Sequence, residues 1–359
     1  MVRSRYINAL ENQNINFVEE IDMKIRSRAP LRLSFGGGGT DIPPYTYKYG
    51  GAVLNSTINR YVYATLIPNK ERKIKIKSID FDISLEKPID EELIIEGQLG
   101  LVKGVIKYFK KNFGLNKGFE LFIFSDAPPG TGAGSSSALA VTLVSLFSYW
   151  MKLNFTLYDI AKLAYRIERK EVKILGGMQD QYASSFGGFN FIEFRREEGI
   201  VNPLRIEERI INELECNIVL AYINKRRFSS DIISRQIKNY KDIHVIESLN
   251  KIKENAYKMK DLLLLGKIKE MGELLHESWV EKKKLARGIT NELIDKIYSD
   301  VRKAGAIGGK ISGAGGGGYM FFIVDQENRF EVINSLKRNN CEIVPFSFTK
   351  KGVTTWQIM

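Results

Sequence analysis

The chain has 359 residues, of which 44% are hydrophobic and 27% charged, a balance that suits a soluble globular protein with room for two domains and excludes a disordered or fibrous one. Its net charge of +12 comes from 54 Lys and Arg set among 42 Asp and Glu, scattered rather than gathered in a stripe; it suits doubly anionic substrates as well as nucleic acid, and charge alone does not decide between them. Two cysteines (Cys216, Cys341) and two histidines (His244, His276) carry no ligand spacing; they support neither a disulfide framework nor a zinc site, and proton transfer falls to carboxylates.

Residues 1–23 read as a polar extension without a signal-type apolar stretch, and no run of eighteen apolar residues follows, so the expectation is a cytoplasmic protein that does not enter a membrane. From Met23 an alternation through Ile25, Leu31, Leu33 and Phe35 predicts a strand whose other face carries Arg32 and Ser34. Segments 72–78 and 81–85 alternate likewise and predict an antiparallel edge pair with its lysines in water. A helix is expected over 100–113 and a strand over 119–124. After a glycine loop, the apolar run 138–150 predicts a buried helix. Thr156 can cap a further helix whose stripe is Ile160, Leu163, Ala164 and Ile167, with Glu168 beside the stripe and able to face a cleft. A strand over 189–194 precedes a charged, loop-like stretch at 195–213 that can hold a boundary between domains at 24–200 and 201–359. Beyond it come a strand near 217–223, long helices over 231–265 and 268–286, and a helix over 290–303. A glycine loop at 310–318, a strand over 319–324, a helix and a last strand near 341–348 complete an α+β pattern. Both cysteines are expected to be buried as small hydrophobes.

The run Pro128-Pro129-Gly130-Thr131-Gly132-Ala133-Gly134-Ser135-Ser136-Ser137-Ala138 joins a strand to a helix. Glycines there permit close backbone approach, and the serines lie where the first helical N–H groups lack partners and the helix dipole is positive, which suits an anion. No lysine follows Gly134 as in a P-loop, and no third glycine completes a dinucleotide fingerprint. A serine-capped turn is the plainer alternative for such a stretch alone. Two more glycine-rich segments, Phe35 to Asp41 and Ile311 to Gly318, weigh against it.

Together these segments resemble the GHMP kinases. Ala29-Pro30-Leu31-Arg32 is similar to that family's first motif, Pro129 to Ala138 to its second and Lys310 to Gly318 to its third, in the family's order. The string Gly36 to Tyr45, with Ile167-Glu168-Arg169 and Gly176-Gly177-Met178-Gln179-Asp180, is similar to the branch that phosphorylates the anomeric hydroxyl of sugars. The resemblance implies a two-domain α+β fold, with a left-handed βαβ unit in the N-terminal domain and a ferredoxin-like C-terminal domain. It implies ATP and Mg²⁺ as cofactors, the loop 129–137 as the seat of the ATP phosphates, and Ser136 and Glu168 as metal ligands. Asp180, in a segment too glycine-rich for a regular helix, matches the catalytic aspartate that takes the hydroxyl proton, with Arg32 stabilising developing charge. A cap role for Asp180, a surface role for Glu168 and an ordinary strand ion pair for Arg32 are the structural alternatives.

Gly37, Gly38, Gly39, Thr40, Asp41, Gly176, Gly177, Gly313, Ala314 and Gly315 are the implied sugar contacts. Gly38 and Gly39 stand where galactokinases carry Glu and His, which opens space for a larger sugar. The implied acceptor is a small-molecule sugar phosphate, a heptose 7-phosphate above L-fucose, and its distal phosphate is assigned to the basic turn 225–230, with Arg227, or to Lys173. A homodimer is left open. A ligand sensor is disfavoured by the joint presence of Ser136, Glu168 and Asp180, and an RNA-binding module by the lack of interleaved aromatic and basic residues.

Overall fold

The computed structural model describes residues 23–128, 130–223 and 229–358. In chain order the strands are β1 (Lys24–Gly36), β2 (Gly51–Asn69), β3 (Lys73–Ser78), β4 (Ile83–Pro88), β5 (Gly118–Ser125), β6 (Phe189–Arg195), β7 (Glu198–Pro203), β8 (Ile218–Ile223), β9 (Ala306–Ile311), β10 (Gly318–Val324), β11 (Glu342–Ile343) and β12 (Thr354–Ile358). The helices are α1 (Tyr45–Tyr49), α2 (Gly100–Phe113), α3 (Ser135–Trp150), α4 (Leu157–Arg166), α5 (Gln179–Phe186), α6 (Glu208–Asn217), α7 (Ser229–Asn239), α8 (Ile243–Leu264), α9 (Ile268–Lys284), α10 (Glu292–Lys303) and α11 (Gln326–Arg338). Among the described residues none is long and apolar enough to cross a membrane.

The first sheet runs β12-β1-β2-β5-β3-β4, with β6 and β7 continuing from β2. The long β2 makes this possible: residues 51–56 pair with β6 and residues 62–69 with β5, while β1 lies along both halves. β3 and β5 are parallel neighbours, and the long crossover that parallel pairing requires runs through β4 and α2. α3 is apolar along most of its length and packs against β1 and β2, leaving Ser136 and Tyr149 exposed, with Phe147 between Phe109 and Phe119 at ring separations of 5.3 Å. The second sheet, β11-β8-β10-β9, is antiparallel throughout. Strand–helix–strand–strand–helix–strand with that order is the ferredoxin-like arrangement.

β3 and β4 form the expected antiparallel pair at the sheet edge, with Lys77 exposed, Lys73 paired to Glu86 at 2.7 Å and Lys75 to Glu120 at 3.3 Å. Other local expectations are corrected. The charged stretch 195–213 is not a loop, since β7 buries Val201 behind its charged residues and Glu208 opens α6. The long helix over 231–265 is two helices, because the Asp242 side chain accepts from the His244 N–H and starts α8 afresh. Near 341–348 only Glu342 and Ile343 form a strand, Pro345 having no N–H to give. The unanticipated β12 adds residues 354–358 to the first sheet beside β1, and β7 extends that sheet to Pro203, so the chain crosses between sheets more than once. Cys341 is buried but Cys216 is exposed.

Candidate active site

β5 stops at Ser125, and the chain turns through glycines into α3. The residue just before α3, Gly134, has φ +79, and a Cβ there would sit 3.2 Å from the Asp180 carboxylate, so both backbone and space require glycine. No side chain caps this terminus, which leaves the first-turn N–H groups of Ser135, Ser136 and Ser137 facing an open cleft. α4, closed at its start by a reciprocal Thr156–Asp159 capping box, ends in a π-helical turn at Ile167–Glu171. The wider turn presents Glu168 to the cleft while the residue stays fully buried. Ser136 Oγ donates to Glu168 Oε1 at 2.6 Å; Ser137 Oγ and Gln181 Nε2 donate to Oε2 at 2.8 and 2.7 Å; Arg169 lies 3.0 Å from Oε1. Among the described residues no three His, Cys, Asp or Glu side chains gather as a metal cage. A hydroxyl and one carboxylate oxygen side by side in the cleft do fit a cation such as Mg²⁺, which keeps waters and takes phosphate oxygens for the rest.

Arg32, 2% exposed, knits three segments together. Its Nε donates to Asp180 Oδ1 at 2.7 Å, and its Nη1 donates to the Gly132 carbonyl at 2.8 Å and to Ser312 Oγ at 3.0 Å. Asp180 stands in the first turn of α5, contrary to the expectation of an irregular segment, because Gly176 and Gly177 end before the helix begins at Gln179. Asp41 secures that start: its Oδ2 accepts from the Gln179 N–H at 3.1 Å and its Oδ1 from the Gly39 N–H at 3.0 Å.

The sequence-derived residues divide clearly. Arg32, Gly38, Gly39, Asp41, Gly130, Gly132, Gly134, Ser135 to Ser137, Glu168, Gly176, Gly177, Asp180 and Gly313 to Gly315 all line the one cleft. Gly37, Thr40, Thr131 and Ala133 do not. The Thr40 hydroxyl donates to the carbonyls of Gly37 and Ala52, Thr131 gives its carbonyl to the Tyr319 N–H, and Ala133 gives its own to the Arg32 N–H, so these residues hold the loops in place. Lys173 is exposed and outside the cleft lining. Pro129 and Arg227 lie outside the described residues.

Two polar residues that line this cleft, Lys282 and Gln236, have no local sequence signal, and a third, Lys310 at the head of the glycine segment 310–318, lies beside it. Lys282 of α9 is 5% exposed and donates to the Gly38 carbonyl at 3.0 Å; burial pulls its ammonium down to about 8, partly opposed by Asp41. Lys310 of β9, also 5% exposed, is pulled down to about 7 by burial and by the Lys282 and Arg32 charges, against the pull of Asp41. Gln236 of α7 is fully buried and donates to the Tyr240 hydroxyl at 2.6 Å. A Cβ at Gly39, whose φ is +108, would come within 2.7 Å of Gln236 Nε2 and 2.9 Å of Lys282 Nζ. The space expected at Gly39 is thus filled from the second domain, not open.

Residues 100–188 match the model for the GHMP kinases N terminal domain and residues 259–342 that for GHMP kinases C terminal. The chain is 41% identical over 336 residues to the D-glycero-alpha-D-manno-heptose 7-phosphate kinase of Campylobacter jejuni, covering 93% of this chain and 99% of that protein. It is 26% identical to the bifunctional fucokinase/GDP-fucose pyrophosphorylase of Arabidopsis thaliana over 86% of this chain but only 31% of that protein. Among solved structures, a D-glycero-D-manno-heptose 1-phosphate kinase from Bacteriodes thetaiotaomicron shares 35% identity at a TM-score of 0.79, covering 93% of this chain and 99% of that one. With the two-domain fold, the three glycine loops around one cleft and these relatives, the chain belongs to the GHMP kinases, phosphotransferases that use ATP to phosphorylate an alcohol group.

Proposed function

We propose that this kinase transfers the γ-phosphoryl group of ATP to the anomeric C1 hydroxyl of D-glycero-D-manno-heptose 7-phosphate, giving the 1,7-bisphosphate. The observation that carries this reading is the Arg32–Asp180 pair, closed at 2.7 Å and set beside the uncapped terminus of α3. Asp180 accepts the hydroxyl proton as the new P–O bond forms, and Arg32 stays beside the developing negative charge. The N–H groups of Ser135 to Ser137 hold the nucleotide phosphates. Ser136 and Glu168 would hold Mg²⁺, which when bound neutralises charge on the β- and γ-phosphates. Asp41 and the glycine segments at 38–39, 176–177 and 313–315 contact the sugar.

The names of the two heptose kinases put phosphate at C7 and at C1, the two ends of one bisphosphate. The fucokinase likeness is more distant and spans a minor part of that protein. The deciding experiment measures ADP release with heptose 7-phosphate, heptose 1-phosphate, free heptose, mannose and L-fucose, with phosphorus NMR of the product. Heptose 7-phosphate should give the highest kcat/KM and an anomeric phosphate resonance. Preference for heptose 1-phosphate would reverse the order of the two phosphates, and preference for L-fucose would replace the substrate.

A further inference from the structure

Four cations and three carboxylates stand in or beside the cleft, all but Arg169 and Asp180 buried, and they do not pair off. Arg32 faces Asp180 and Arg169 faces Glu168. Asp41 remains against both Lys282 and Lys310, and its two oxygens already accept backbone N–H groups. Lys282 has only neutral partners, the Gly38 carbonyl at 3.0 Å and Gln236 Oε1 at 3.5 Å. The Lys310 ammonium has no hydrogen bond or ion pair among the described residues. It does not itself line the cleft, but it lies 3.8 Å from where a Cβ at Gly38 would be, just behind a glycine of the cleft wall. Buried ammonium groups without counterions are costly unless an anion completes them.

Both lysines lie against the Gly38–Asp41 turn, Lys282 through its bond to the Gly38 carbonyl and Lys310 beside Gly38. Resting on the reading of the acceptor as a sugar phosphate, we propose that Lys282 and Lys310, with Gln236, seat the distal phosphate of that acceptor. The second domain thereby supplies the residues that distinguish a phosphorylated sugar from a free one. The glycines at 38 and 39 let these side chains in: any side chain at 39 would displace Lys282 and Gln236, and one at 38 would cover Lys310.

The test compares Lys282→Met and Lys310→Met with the wild type, using heptose 7-phosphate and free heptose as acceptors. Losing one charge-assisted contact should lower the ratio of the two kcat/KM values at least roughly tenfold in each variant, through the KM of the phosphorylated sugar, with the KM for ATP within about twofold. Thermal melting should show Tm unchanged or raised, since each variant removes an unpaired buried charge; should one fail to fold, Lys310→Gln replaces it. Calorimetric titration of heptose 7-phosphate without ATP should show the same loss. An unchanged ratio in both variants overturns the lysine assignment alone. Equal losses on both sugars with a raised KM for ATP would give the lysines to the transferred phosphoryl group and also overturn it. No preference for heptose 7-phosphate in the wild type would sink the acceptor assignment, and this proposal with it.

Discussion

Replacing Asp180 by Asn keeps the shape of the side chain and removes its ability to take a proton. The amide oxygen can still accept from Arg32 Nε, and Arg32 keeps its bonds to the Gly132 carbonyl and Ser312 Oγ, so the three segments it joins stay together. What is lost is the base. A positioned general base contributes about 10² to 10⁴ in rate, or about 2.7 to 5.5 kcal/mol of barrier at 1.36 kcal/mol per decade. The ion pair is also lost: Arg32 is 2% exposed and Asp180 19%, so the cost belongs near the lower end of the range for broken buried pairs, about 3 kcal/mol of stability. The assay is single-turnover phosphoryl transfer with heptose 7-phosphate, beside calorimetric binding of nucleotide and sugar to the same preparation. The expected outcome is kcat down two to four orders of magnitude with both affinities within a few-fold. Turnover within tenfold of wild type, or loss of nucleotide binding as the main effect, would refute the role given to Asp180.

Ser136→Ala and Glu168→Gln should raise the Mg²⁺ concentration needed for half-maximal rate by at least about tenfold, leaving the sugar KM little changed, as a magnesium titration would show. For Lys282 and Lys310 the folded values, about 8 and about 7, lie below the ordinary 10.5. Between about pH 7 and 10.5 the unfolded chain therefore holds protons that the folded one has released, and stability should rise with pH through that window in denaturant titrations. The same loss of charge, beside Arg32, Asp41, Gln236 and Tyr240, should raise the KM for heptose 7-phosphate above pH 8 more steeply than that for free heptose. Thr156→Ala should cost about 1 kcal/mol of stability through the capping box at the start of α4, read by thermal melting.

Much of this site was legible because its parts announce themselves locally. A glycine run ending in serines marks an uncapped helix start suited to an anion, Gly100 and Phe113 bound α2 as the pattern predicts, and Thr156 caps α4 as expected. Glu168 could be placed beside an apolar stripe, although the π-helical turn that aims it has no signature. The residues that escaped notice are single polar side chains whose meaning is tertiary. Lys282 stands in the run Glu281-Lys282-Lys283-Lys284, which reads as a solvated face, yet helical spacing turns Lys282 inward and leaves Lys284 in water. Lys310 stands at the head of the third glycine motif, whose local reading concerns the glycines and not its side chain. Thr40 and Thr131 show the converse, since residues inside a motif can serve the backbone rather than the ligand.

The docking of β12 against β1 has a consequence for how the protein is made. Thr355 Oγ1 donates to Ser27 Oγ at 2.8 Å across a separation of 328 residues, and it also meets Ser145 of α3 at 2.7 Å. The strand that carries Arg32 is thus flanked by a partner translated long after it. During synthesis the first sheet must persist with an exposed hydrogen-bonding edge along β1 while the ferredoxin-like half is still being assembled. The first sheet receives its last edge strand only from the end of the chain, so a nascent chain halted before residue 354 should be retained by chaperones, and a separately expressed first half should aggregate through the bare edge at residues 24–28 of β1 unless a peptide spanning 350–358 is supplied.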